Sequence, residues 1–314
     1  MPDAPFQPTD PQPAAEPIAT RRWLTRLALR AAKLAAVIYL GVTLVLYLFQ
    51  TRMIFAGSAT QGLADYQVRP AAGCSLVKLQ SPRGEPIAAL FGPALTSEGR
   101  PRPDARNRPT LLYFYGNGMT LRDSQYDLER FRRLGVNVLI PEYLGYGMSG
   151  GQPSESGCYE TADAAYDHLQ GRTDVDSRAI VVGGWSLGGA VAIDLASRRQ
   201  VAGVFVMSTF TSMTEMAHRS FPYLPTSLLL HHRFESLAKI GSLRVPILIG
   251  HGAADSIVPP VMARRLAEAA AASPRVEAFT VGGADHNDVF EVRTTETLRR
   301  LGAFLGRFSP EAGE

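Results

Sequence analysis

From residue 109 to residue 283, short apolar runs alternate with helix-forming stretches, and few architectures accommodate such an alternation. The runs "PTLLYFYGNG" (109–118), "VNVLIPEY" (136–143), "AIVVGGW" (179–185), "VAGVFVM" (201–207), "VPILIGHG" (245–252) and "VEAFTVGG" (276–283) are rich in β-branched and aromatic residues. They end in glycine or turn residues, as strands do. Most are apolar on both faces, the pattern of strands buried in the middle of a parallel sheet. Helical stretches at 122–134, 157–170, 187–199 and 260–272 separate them; the last begins with a proline in its first turn and is dense in helix formers. Strand–helix alternation over this length predicts a doubly wound α/β sheet with helices on both faces. Upstream, "CSLVKL" and "IAALFG" read as an antiparallel edge pair, and the polar, proline-broken 99–109 as an exposed insertion.

The N-terminal part follows a different logic. Residues 2–17 are rich in proline and poor in large apolar groups, so 1–20 are expected to be a disordered tail. "LAAVIYLGVTLVLYLF" (34–49) carries no charge, and with Gln50 and Thr51 it approaches the length that spans about 30 Å of hydrocarbon. Five basic residues between Arg21 and Lys33, with no acid among them, precede it. By the positive-inside pattern, 21–52 form a basic flank and a single-pass anchor with a cytoplasmic N-terminus and the remaining domain on the opposite side. A buried core helix and a cleaved signal peptide are the alternatives, the second weakened by the long leader and the lack of an A-x-A site. Residues 53–308 then form one α/β domain, and 309–314 a tail.

The charge distribution narrows the partners. Six of the 32 Lys and Arg and three of the 29 Asp and Glu fall in residues 1–52, which leaves the rest of the chain balanced. No basic surplus remains to offset phosphates, so nucleic acid is not an expected partner. The six histidines show no metal-ligand spacing, and the adjacent His231 and His232 would diverge, so neither a metal nor a cofactor is expected. Cys74 and Cys158 are far apart and outside any C-x-x-C, compatible with a pair or with two free thiols.

Within this frame "VVGGWSLGG" (181–189) places Ser186 between a strand and a helix, with Gly184 and Gly188 two residues to either side. G-x-S-x-G arises often by chance, and its meaning depends on that context. A nucleophile elbow holds its serine at strained backbone angles and therefore needs small neighbours; Gly184 and Gly188 supply them, and the strand 179–185 and the helix 187–199 supply the context. A serine also needs a base and an orienting acid. His286 in "GGADHNDVF" follows the last strand, and Asp255 in "HGAADSIVP" follows the one before it. Both stand at carboxyl ends of strands, where open α/β sheets build their sites. The order Ser, Asp, His suits this elbow. Asp285 and Asp288 are rival acids, less favoured because side chains of sequence neighbours rarely face each other. A helix beginning at Leu187 presents a free N–H beside Ser186, and "YFYGNGM" supplies a second donor from Asn117 or Gly118.

These residues carry a resemblance. "QTRMIF" directly after the apolar run, "FYGNG", "PEYLGYGMSGG", "GWSLGG", "FESLAKIGSLRVPILIGHGAADSIVP" and "GADHND" make residues 50–306 resemble the α/β-hydrolase-fold serine hydrolases. More narrowly, they resemble the membrane-tethered group that includes the protein depalmitoylases. The resemblance implies Ser186 as nucleophile, Asp255 and His286 as its partners, and Asn117 with Leu187 as oxyanion donors. Two positions depart from it: Tyr115 stands where relatives have histidine, and Leu144 where they tend to have arginine.

The expected chemistry is hydrolysis of a carboxylic ester or thioester, with an acyl or lipid-like substrate and the bilayer as partners. A peptidase or C–C hydrolase using the same triad, or a catalytically silent binding protein on this fold, are the other readings. Residues 209–240 are expected to form a short cap whose apolar side, with Phe221, Tyr223, Leu224 and Leu228–Leu230, suits an acyl chain; the alternative is a surface helix docked on the core. Gly145, Gly147 and Gly150 spell G-x-G-x-x-G, but no helix starts within it, and it reads as a loop on the rim of the site.

Overall fold

The computed structural model describes residues 18–309, so most of the N-terminal tail and residues 310–314 lie outside the described residues. The chain divides into two units between Phe49 and Gln50. The first is helix α1 (Ile18–Ile54), whose last turn belongs to the second unit. Residues 22–54 are long and apolar enough to cross a membrane. Leu34, Val37, Ile38, Leu40 and Leu48 are exposed, which is not the pattern of a core helix.

The second unit is built on an eight-stranded sheet in the order β1-β2-β4-β3-β5-β6-β7-β8. The strands are β1 (Ser75–Gln80), β2 (Pro86–Gly92), β3 (Thr110–Phe114), β4 (Asn137–Pro141), β5 (Ile180–Trp185), β6 (Gly203–Met207), β7 (Ile247–Gly252) and β8 (Val276–Val281). From β4 to β8 all neighbours are parallel; β2 pairs antiparallel with both β1 and β4. β1 and β2 are therefore the antiparallel pair at the edge that the sequence leads one to expect, with β1 outermost and β2 between β1 and β4. The β2 run from Ile87 to Gly92 is buried, which only a strand covered on both faces can be. The expected strands and helices are present, most with shorter ends, although β2 and the helix expected from residue 157 begin earlier, at Pro86 and Glu155. The helices are α2 (Gln125–Arg132), α3 (Glu155–Gln170), α4 (Leu187–Arg198), α5 (Met213–Ser220), α6 (Thr226–Leu229), α7 (Ser236–Ile240), α8 (Val261–Ala269) and α9 (Thr294–Gly306).

Burial follows from the pattern that identified the strands. β3, β4, β6 and β7 are buried throughout, and Tyr113, Phe131 and Phe205 pack ring against ring across the sheet. Burying each such side chain stabilises the fold by roughly 1.5–3 kcal/mol. The segment 99–109 is exposed or half-buried up to Arg108; within it Asp104 accepts hydrogen bonds from Arg102 and Arg108, which hold its carboxyl below the usual range. Cys158 is buried, Cys74 is half-buried against the Arg132 guanidinium, and both are free.

The topology also places a crevice. The chain leaves β3 toward β4 on one side and enters β5 on the other, so the loops after β3 and β5 diverge at the carboxyl ends of two adjacent strands. Open α/β sheets bind their ligands at such a point.

Candidate active site

Ser186 stands at that point, between β5 and α4, with φ 54° and ψ −118°. A non-glycine residue at positive φ is strained by about 1–3 kcal/mol, and the surrounding backbone must hold it there. The Ser186 N–H donates to the Met207 carbonyl (2.9 Å), and the Thr209 hydroxyl donates to the Ser186 carbonyl (2.8 Å). The turn is possible because Gly184 and Gly188 touch. A Cβ on Gly184 would overlap the Gly188 backbone, and one on Gly188 would overlap the Phe114 carbonyl. Since backbone cannot swing aside as a side chain can, Gly188→Ala is expected to cost about 3 kcal/mol of stability. Chemical denaturation reads this directly, and an unchanged midpoint would refute the packing argument.

His286 and Asp255 meet Ser186 from the loops after β8 and β7. His286 Nε2 lies 3.0 Å from Ser186 Oγ, and His286 Nδ1 lies 2.9 Å from Asp255 Oδ2. A carboxylate only accepts, so Nδ1 carries the proton and Nε2 presents its lone pair to the serine hydroxyl. The other Asp255 oxygen accepts the N–H groups of Ile257 (3.0 Å) and Val258 (2.7 Å). A second buried histidine, His251, has Nε2 2.9 Å from the Val258 carbonyl and 3.2 Å from Asp255 Oδ2; facing a carbonyl, that nitrogen must donate. Burial raises the Asp255 pKa, but the bonds from His251, His286 and Val258 outweigh it and hold the carboxyl well below the usual range. The rival acids are engaged elsewhere. Asp285 accepts from Ser256 and from the His286 N–H, and Asp288 accepts from the Asp285 N–H.

The loop after β3 forms the opposite wall. Among the described residues, the N–H groups of Asn117, Gly118 and Leu187 donate to no other protein group, so each is open to a bound oxygen. Tyr115, where a histidine was expected from the resemblance, is buried and donates to Glu142 Oε1 (2.7 Å). Glu142 also accepts the Leu121 and Met148 N–H groups, so one buried carboxylate ties this loop to the G-x-G-x-x-G loop. Burial raises the Glu142 pKa against these bonds. In that second loop, a Cβ on Gly147 would meet the Glu142 carboxylate, and the following helix, capped by Ser154, begins only at Glu155.

Beside Ser186 opens a cavity of about 380 Å³ lined by Asn117, Gly118, Met119, Trp185, Leu187, Phe210, Met213, Met216, Ile257, Val258, His286 and Asn287. None of these is a carboxylate, a lysine or an arginine. The lining corrects one expectation. The apolar residues that reach the site from 209–240 are Phe210, Met213 and Met216, not those of 221–230; Tyr223 and Leu228 are 88% and 81% exposed. Ser212 caps α5 by accepting the Glu215 N–H, so Met213 and Met216, three apart, share the face toward the cavity. The capping pattern Ser-Met-Thr-Glu was visible in the sequence. Farther on, α7 packs on α4 and α8, and Phe234 before it is fully buried, so that half of the segment docks on the body. Trp185 was likewise unforeseen; its indole N–H donates to the His286 carbonyl (3.2 Å).

Comparison with known proteins agrees with this architecture. Residues 113–236 match the model of the alpha/beta hydrolase family. The chain is 34% identical over 262 residues to the uncharacterized protein Rv2307c of Mycobacterium tuberculosis, covering 83% of this chain and 89% of that one. It is 33% identical over 233 residues to the alpha/beta hydrolase domain-containing protein WAV2 of Arabidopsis thaliana, covering 67% and 73%. Mouse alpha/beta hydrolase domain-containing protein 17C is 31% identical over 207 residues, 66% of this chain and 62% of its own. Among solved structures, the Pyrococcus furiosus esterase Pf2001 superposes with a TM-score of 0.61 at 19% identity, over 78% of this chain and 92% of the esterase. The sheet order, the strained serine turn and these relatives agree: the chain belongs to the α/β-hydrolase family.

Proposed function

We propose that this protein is a membrane-anchored serine hydrolase that cleaves carboxylic esters or thioesters of acyl, lipid-like substrates. The observation that carries the reading is the continuous chain Ser186–His286–Asp255, with bonds of 3.0 and 2.9 Å, opening into an uncharged, mostly apolar cavity. In this mechanism His286 Nε2 takes the Ser186 hydroxyl proton as Oγ attacks the acyl carbonyl carbon. Asp255 holds the imidazole tautomer and stabilises the imidazolium that forms. The N–H of Leu187, with that of Asn117 or Gly118, receives the oxyanion. Collapse breaks the bond to the leaving alcohol or thiol, which takes the proton from His286. Water, deprotonated by the same histidine, then attacks the acyl-enzyme and releases the acid.

The substrate class follows from the cavity. Met213, Met216, Phe210, Ile257 and Val258 offer an acyl chain apolar contact, and no carboxylate or ammonium among the lining residues would pair with a charged substrate. Each buried methylene gains roughly 0.8 kcal/mol. On this reading the helix 22–54 anchors the protein, the N-terminus is cytoplasmic and the catalytic unit stands on the opposite face. A p-nitrophenyl ester series from acetate to laurate tests the specificity. The expected outcome is a rise in kcat/KM of at least about tenfold from acetate to the medium chains. A flat profile, or a preference for acetate or charged esters, would remove the lipid-like substrate from the proposal.

A further inference from the structure

We propose that Gln50–Gly57, the stretch that continues from the apolar helix, is a positioning strut for the oxyanion loop; the inference rests on the serine-hydrolase reading of the site. An oxyanion donor is effective only if it is held where the charge develops, and the loop carrying Asn117 and Gly118 has no regular structure of its own. At Asn117 itself the bonds from outside the loop come from the strut and one tyrosine. Asn117 Nδ2 donates to the Ile54 carbonyl (2.9 Å). The Gly57 N–H donates to the Asn117 carbonyl (2.9 Å), and the Tyr146 hydroxyl donates to the same oxygen (3.0 Å).

Peptide geometry transmits these restraints to both candidate donors. In a trans peptide the C=O of one residue and the N–H of the next point in opposite directions. Two donors on the Asn117 carbonyl therefore fix the direction of the Gly118 N–H. The Met119 N–H on the Gly116 carbonyl (3.2 Å) does the same for the Asn117 N–H. The seat is tight as well. Gly57 is buried, and a Cβ there would meet the Tyr146 ring and lie 2.8 Å from the Met119 carbonyl.

The other end of the strut grips the cap. Gln50 donates to the Leu229 carbonyl (3.2 Å) and accepts the His231 N–H (2.8 Å). His232 Nδ1 accepts the Glu155 N–H, so its Nε2 carries the proton and donates to the Thr51 hydroxyl at 3.0 Å. Phe55, fully buried, packs edge-on against His232 and beside Phe234. One short stretch thus bonds both to the loop carrying Asn117 and to residues 229–232.

Two substitutions test the strut in the full-length protein. Asn117→Leu keeps the backbone amide and the side-chain volume but removes the donor to Ile54. Tyr146→Phe removes a single hydroxyl. Displacing a donor by about 1 Å costs up to about 100-fold in rate. Asn117→Leu is expected to lower kcat for a p-nitrophenyl ester about 10–100-fold with KM within about twofold, and Tyr146→Phe a smaller amount. The Ki of phenylboronic acid, whose tetrahedral adduct on the serine places an oxygen at the oxyanion position, should rise in step with the loss of kcat. A purely structural role would not couple those two numbers. Wild-type kcat and boronate Ki in folded Asn117→Leu would overturn the strut; should Asn117→Leu fail to fold, the smaller Asn117→Ala, which also removes the donor to Ile54, decides. A Ser186→Ala control separates the levels: persistent turnover there overturns both readings, whereas silence there with unaffected strut variants overturns the strut alone.

Discussion

Ser186→Ala should lower kcat for a p-nitrophenyl ester by about 10⁶-fold, to whatever the remaining oxyanion donors and binding provide. The size of the effect follows from the position. Ser186 is held at φ 54°, its N–H and carbonyl both bonded, with its Oγ 3.0 Å from a histidine nitrogen that presents a lone pair. Among the described residues no other hydroxyl lines the cavity, so no lining neighbour can replace it. Alanine leaves the turn itself in place, and the variant should show the circular dichroism and melting behaviour of the parent. Steady-state kinetics with purified full-length protein measures the loss.

Asp255→Asn should lower kcat by about 10⁴-fold while leaving KM within a few-fold. One Asp255 oxygen accepts the two backbone N–H groups of Ile257 and Val258, and the other faces the donors of His286 and His251. An asparagine has one acceptor oxygen and one donor NH₂, so it cannot satisfy both sides. Turning the oxygen toward the backbone N–H groups aims the NH₂ at His286 Nδ1. The ring must then carry its proton on Nε2, and it can no longer accept the serine hydroxyl. Turning the amide the other way sets two N–H groups against it in a buried place, at a cost of about 1–3 kcal/mol each. Either arrangement damages the site. Wild-type turnover in Asp255→Asn would show that another group orients His286.

How far the sequence reveals this molecule depends on how local the information is. The strands were legible because burial on both faces leaves uninterrupted apolar runs, and the elbow because glycine at 184 and 188 marks a close approach. Asp255 was preferred over Asp285 and Asp288 from the expectation that sequence neighbours diverge; in the structure Asp285 accepts from Ser256 in the neighbouring loop and Asp288 from the Asp285 N–H, and neither has a bond to the His286 ring. What was not legible depends on distant parts of the chain. Met213, Met216 and Ile257 line the cavity through the orientation of α5 and of the loop after β7, while the more apolar 221–230 stretch, which drew attention by composition, exposes Tyr223 and Leu228. "QTRMIF" was noticed as a resemblance, but its bonds to Asn117 and to 229–232 span more than sixty residues of sequence, and no local pattern encodes them. The choice between Asn117 and Gly118 as donor is of the same kind: it concerns the direction of a peptide plane, set by Gly57 and Tyr146.

The central claim is that Ser186 is the nucleophile, and covalent labelling tests it most directly. Incubating the full-length protein with a fluorophosphonate probe and mapping the adduct by peptide mass spectrometry should place the phosphonyl group on Ser186, with no labelling in Ser186→Ala. An adduct on another residue, or equal labelling of the alanine variant, would contradict the account.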